Sequence, residues 1–185
     1  MTDKLDLTAL LDREAIRDCI HRCALANDMR DSVAWKAAYW PDALEDHPPL
    51  FCGNAHAFVD AMIDLLDTTM ESVWHQFSGT IIRIDGASAR TISYAHAHVR
   101  MKANDDTPAF ILRTGLRYLD RLEKRAGEWR IAHRLTKADW VTQTPATAPI
   151  VDMGEPAAMH AADDPAKMLF PEGIPALLNP TSETL

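Results

Sequence analysis

Hydrophobic positions recur first with a helical period and then with a strand period, and the change falls near Met70. From 7 to about 29, at roughly 100° per residue, Ala9, Ile16, Cys19, Ile20, Cys23, Ala24 and Asn27 share one face, while Glu14, Asp18 and Arg22 take the opposite one. Asp31 and Ser32 are cap residues for a second, short helix over 33–39 that Pro41 stops. The stretch 43–51 reads as extended, interrupted by Pro48 and Pro49. Asn54 then caps a third helix, with Phe58, Met62, Leu65 and Leu66 on its buried side.

Beyond Met70 the residues alternate and become rich in β-branched types. The segment 72–84 reads as a strand, Asp85-Gly86 as a turn, and Ser88–Met101 as the returning strand. A third strand covers 108–124, and Arg125-Ala126-Gly127 turns it into a fourth over 128–140. Helices followed by a run of antiparallel strands give an α+β class, with the helices covering one face of a curved sheet. From Thr142 the texture changes again: seven of the eleven prolines lie in 142–185, which rules out a central strand or a long helix there. The expected organisation is a domain over 1–141 and a proline-rich C-terminal arm over 142–185. Met168-Leu169-Phe170 and the apolar residues from Ile174 to Leu178 favour an arm packed on the domain or on a neighbouring subunit.

Composition narrows the function classes. The 185 residues carry 27 acidic and 19 basic side chains, a formal charge of −8, and no basic run. That balance argues against nucleic acid or an anionic membrane as partner. The arm holds six acidic residues against Lys167 alone, so the domain itself is only mildly acidic. No apolar stretch approaches ~18 residues, and the first residues are acidic where a signal peptide would be basic, so a cytoplasmic location is expected. Cys19, Cys23 and Cys52 form no CxxC pair and read as reduced, small hydrophobic packing residues. No glycine-rich phosphate loop is present.

Several separated motifs occur together: Leu11-Asp12-Arg13-Glu14-Ala15-Ile16-Arg17-Asp18, Pro41-Asp42-Ala43, His75, Ile84-Asp85-Gly86, the run from Arg117 to Arg125, and Gly127-Glu128-Trp129-Arg130-Ile131-Ala132. In this order and spacing they resemble SnoaL-like proteins of the nuclear-transport-factor-2-like superfamily, over about three quarters of the chain. The resemblance implies a cone: a strongly curved mixed sheet around a deep apolar pocket, closed by the N-terminal helices. It also implies a range of chemistries, among them scytalone and bile-acid dehydratases, hexachlorocyclohexane dehydrochlorinase, ketosteroid isomerase and polyketide cyclases. The eliminating members use a histidine held by an aspartate, with no metal or organic cofactor. The matching positions are Asp28 and His75.

The residue types suit that role. Abstracting a proton from carbon needs a base that titrates near working pH, and a carboxylate on the other ring nitrogen fixes the imidazole tautomer. A regular strand puts His75 on the face of Phe77. By resemblance to scytalone dehydratase, His98 is the second pocket histidine. As an HxH pair, His96 and His98 lack the glutamate that a cupin-type metal site requires, so no metal is expected. Tyr39, Tyr94 and Tyr118 are candidate phenolic donors, and Trp40 is a candidate pocket wall. Arg113 and Arg117 share one strand face, and Arg130 and Arg134 share another. The first expectation for these arginines is an outer surface, with Arg134 the one placed to hold an anionic group at the pocket mouth. Many relatives carry an aromatic residue five positions before the aspartate, where this chain has Cys23, a poor hydrogen-bond donor.

The expected function is therefore cofactor-independent, dehydratase-like elimination, or proton-transfer isomerisation, on a small apolar cyclic or aromatic-like molecule. Asp28, His75 and His98 are the catalytic candidates, and Tyr39, Tyr94, Trp40 and Arg134 the substrate-binding ones. The alternatives are a non-catalytic binding protein and the small subunit of a ring-hydroxylating dioxygenase. A homo-oligomer is expected, with a trimer favoured over a dimer.

Overall fold

The helical and strand periods each end where the backbone is capped or turned, and this fixes the element order. In the computed structural model, residues 7–147, 160 and 164–169 are described, excluding the Met168 side chain. The order is α1 (Leu7–Asp28), α2 (Ser32–Ala37), β1 (Tyr39–His47), β2 (Phe51–Asn54), α3 (Ala55–Thr69), β3 (Met70–Asp85), β4 (Ser88–Met101), β5 (Phe110–Arg125), β6 (Glu128–Pro145) and α4 (Pro165–Leu169). Asp31 caps α2 by accepting from the Ala34 amide, and Asn54 caps α3 by accepting from the amides of His56 and Ala57.

The strands form one curved, open, mixed sheet in the order β2-β1-β6-β5-β4-β3. All pairs are antiparallel except β1 with β6, which run parallel. Pro41 lies inside β1 rather than marking a helix stop. It falls where the β1–β6 register shifts between Tyr39 and Leu44, so its missing N–H leaves no ladder bond unmade. Strand β6 also runs past the expected boundary to Pro145, opposite Phe110.

Four register shifts carry the inward face along strands too long to keep one alternation. Glu71 and Ser78 are the extra residues in β3, and Ala132 and Asp139 are the extra residues in β6. Because of the bulge at Ala132, Ile131 and Arg134 are both buried, although simple alternation puts them on opposite faces. Arg130 and Arg134 are thereby separated, and only Arg130 stays on the outside.

At the narrow end, Ile16 and Ile20 of α1 join Val59 of α3, Leu122 and Ile131 in a fully enclosed core. Burying each such side chain contributes about 1.5–3 kcal/mol. Arg30, in a left-handed conformation (φ 55°), ends the first helical region. Its guanidinium donates to Asp67 (2.9 Å) and to the Met70 carbonyl (2.8 Å), tying the end of α1 to the start of β3. Among the described residues no helix is long and apolar enough to cross a membrane. Most of the arm lies outside the described residues, as does the expectation about its packing; within α4, Leu169 is 77% exposed.

Candidate active site

The wide end of the curved sheet holds a cavity of about 430 Å³. Its walls are mainly apolar: Phe58, Met62 and Leu66 of α3, Val73 of β3, Ala97 and Val99 of β4, and Leu112 and Leu116 of β5. A recess of about 20 Å³ adjoins it and shares Asn27, His47, Phe58, His75, Tyr118 and Thr136 with it. That is room for about one water molecule. The recess reaches Cys23, Tyr39, Glu45 and Arg134.

Asp28 is the last residue of α1 and is 3% exposed. Burial there costs solvation, and two donors from β3 compensate. The backbone N–H of His75 donates to Oδ2 at 2.9 Å, and His75 Nδ1 lies 2.6 Å from Oδ1. A carboxylate only accepts, so in the neutral ring the bond places the proton on Nδ1 and the lone pair on Nε2. His75 alternates with Val73 and Phe77 on the inner face and lines the cavity. The pair is thus an oriented imidazole facing an apolar space, the arrangement that proton abstraction from carbon requires.

The other sequence candidates fall in two places. Tyr39 is at the recess, 1% exposed, its hydroxyl donating to Glu45 Oε2 at 2.9 Å. Burial pushes its phenol well above the ordinary range. Arg134 is also at the recess rather than at the mouth. Its Nε and Nη2 grip Asp120 at 2.7 and 2.8 Å, Nη1 donates to Cys23 Sγ at 3.3 Å, and its face lies over Tyr118 at 4.4 Å. Burial alone would lower its pKa; Asp120 and the polar groups around it raise it instead. With its donors directed at Asp120 and Cys23, this guanidinium completes a buried ion pair and is not offered to an anionic ligand.

The second place is outside the cavity. Ala95, Ala97 and Val99 give β4 its inner face, so Tyr94, His96 and His98 point away. His98 packs on Trp74 (ring centroids 5.3 Å apart) and Tyr94 is 49% exposed. Partial burial and the Arg113 charge keep His98 below the usual imidazole range. Trp40 stands between the guanidinium groups of Arg125 and Arg130, each 4.9 Å from its ring, and its Nε1 donates to the Glu123 carbonyl.

Sequence reasoning passed over Glu45, His47, Thr136 and Asp120. Glu45 and His47 follow Ala43 at alternate positions, a period-two signal confined to one short strand. Tyr118, named only as a candidate donor, lines both the cavity and the recess, and burial raises its phenol, which therefore stays a neutral donor. Cys23 is fully enclosed, and burial raises its thiol. Among the described residues no group of three or more His, Cys, Asp or Glu side chains is arranged to hold a metal.

Residues 8–135 match a family described as the SnoaL-like domain. No curated protein matches the sequence at a significant level. Among solved structures, the chain is similar to a type 2 hexachlorocyclohexane dehydrochlorinase, LinA, at 16% identity and a TM-score of 0.68, over 78% of this chain and 98% of that one. It is similar to a candidate scytalone dehydratase from Novosphingobium aromaticivorans DSM 12444, at 22% identity and a TM-score of 0.65, over 81% and 97%. A candidate aromatic ring hydroxylase from Novosphingobium aromaticivorans aligns at 19% identity and a TM-score of 0.65, over 73% and 94%. At these identities the likeness is one of fold.

Proposed function

The chain belongs to the SnoaL-like domain family, and from that premise we propose that it is a cofactor-independent lyase or isomerase that moves a proton at carbon in a small, neutral, apolar cyclic molecule. One observation carries the reading: His75 Nδ1 sits 2.6 Å from the buried Asp28 carboxylate while the ring lines an apolar cavity of about 430 Å³. In this reading His75 Nε2 accepts the substrate proton. Asp28 holds the tautomer and balances the imidazolium that forms. The C–H electron pair then enters a new π bond, expelling a leaving group or shifting a double bond. Tyr118, at the cavity wall, is the donor for a substrate oxygen. A neutral substrate fits a described lining without lysine or arginine, and Arg134 at the adjoining recess is committed to Asp120.

We further take the chain to be a homo-oligomer, with a trimer ahead of a dimer. Trp74, Ile81, Ile92, Tyr94 and Trp140 support this, since all are exposed on β3, β4 and β6. A carbon-acid probe, 5-nitro-1,2-benzisoxazole, tests the base: losing its C3 proton breaks the N–O bond and releases a coloured cyanonitrophenolate. His75→Ala is expected to lower the ring-opening rate per folded molecule by about 10²-fold or more. An unchanged rate would refute the assignment and leave non-catalytic binding as the reading of the same cavity.

A further inference from the structure

The cavity has a second imidazole beside a second buried carboxylate, and this pair comes from the other end of the strand order. His47 closes β1 and lines both the cavity and the recess. Its ring stacks on Phe58, centroids 5.4 Å apart and planes at 23°, and its Nδ1 lies 3.6 Å from Glu45 Oε1. That separation is ion-pair range rather than a hydrogen bond. Glu45 is 1% exposed and accepts from the Tyr39 hydroxyl at 2.9 Å and from the Thr136 hydroxyl at 3.2 Å. Two neutral donors do not offset the burial of a full negative charge. The nearest guanidinium, Arg134, is already matched by Asp120. Among the described residues His47 is the imidazole beside Glu45, and its ring stands at the cavity wall.

We propose that His47, positioned by Glu45, is the general acid of the cavity in which His75 is the base, so that the substrate class is a neutral molecule whose leaving group is a basic oxygen, such as a hydroxyl. The proposal rests on His75 being the base. Its proton balance closes without a further reactant. His75 Nε2 takes the proton from carbon, the C–H pair becomes the π bond, and the C–O pair departs with oxygen. His47 then gives that oxygen a proton, so water leaves, and solvent returns one proton from His75 to His47. A halide needs no such proton, and a chain built only to expel halide has no use for an acid there.

Two probes separate the base from the acid. In 5-nitro-1,2-benzisoxazole the departing phenolate is weakly basic and leaves unaided; in unsubstituted 1,2-benzisoxazole it is more basic and gains from a proton. His47→Gln is expected to slow the unsubstituted probe by about 10²-fold and the nitro probe by no more than about 3-fold. Glu45→Gln shifts the same ratio in the same direction. The ratio is read within one protein sample, so a change in the fraction folded cancels. Equal slowing of both probes, or slowing of neither, would overturn the role of His47. Loss of both rates in His75→Ala together with an unchanged ratio in His47→Gln keeps the base and removes the acid. Unchanged rates in His75→Ala remove both.

Discussion

Asp120 and Arg134 illustrate how much one buried residue depends on its partner. Each is 4% exposed, and together they form a two-point ion pair under the cavity. Removing one partner leaves an unmatched buried charge, so Asp120→Asn is expected to cost about 3–5 kcal/mol in urea unfolding. The double variant Asp120→Leu/Arg134→Met is expected to recover most of that loss; a double variant as unstable as the single would contradict an unmatched charge as the cause. The thiols make a second residue-scale case. Burial pushes Cys19 up to about 12 and raises Cys23 as well, whereas Cys52 is exposed and is raised by its bond to Asp46. Native protein treated with iodoacetamide is expected to gain one label, on Cys52, and to gain it faster in Asp46→Asn. Asp28 and His75 were legible because their types and positions match a motif. Glu45 and His47 were not, since a carboxylate and an imidazole on a short strand look like any solvated edge. His98 was read toward the pocket from its positional match to scytalone dehydratase, and the strand alternation places it on the other face. Alanines at 95 and 97 take the inner face of β4, where small side chains leave room for the cavity.

At the level of elements, caps decide where the site residues stand. Asn54 accepts from two amides at the start of α3, the helix that supplies Phe58, Met62 and Leu66 to the cavity wall. Asn54→Ala is expected to lower stability by about 1 kcal/mol, seen as a shifted urea midpoint with unchanged slope. A close approach matters at Gly115, where an added Cβ would come within 2.2 Å of Trp140 Nε1. Gly115→Ala must therefore displace that indole, and a change in tryptophan emission is the expected sign. Helix limits and hairpin turns were readable from the sequence because caps, Asp-Gly and Ala-Gly act locally. Bulges were not. Ala132 carries no mark of an extra residue, yet its insertion sends Arg134 inward and leaves Arg130 outside. Only pairing with β5, far away in sequence, selects that register.

For the molecule as a whole, ion pairs set the acid limit of stability. Bonds from Arg125 lower Asp42 and Glu123, a bond from Arg117 lowers Asp139, and at Asp12 burial opposes the charge but Lys124 and Trp129 outweigh it. Carboxylates depressed in the folded state add stability above their unfolded values, and that stability is lost as pH falls through the folded values. The melting temperature is thus expected to fall as pH drops below about 4. A rise on acidification would contradict this balance. The fold class and the family were legible from motif order, whereas the enclosed polar cluster beneath the cavity depends on strands that meet only when the sheet curls. That curl gives the chain its central property, an imidazole held by Asp28 at the wall of an apolar cavity. The most direct test is the protonation site of neutral His75, read from ¹⁵N shifts of histidine-labelled protein at a pH of roughly 9. A proton on Nδ1 with an unprotonated Nε2 is the expected result; a proton on Nε2 would contradict it, since no lone pair would then face the cavity.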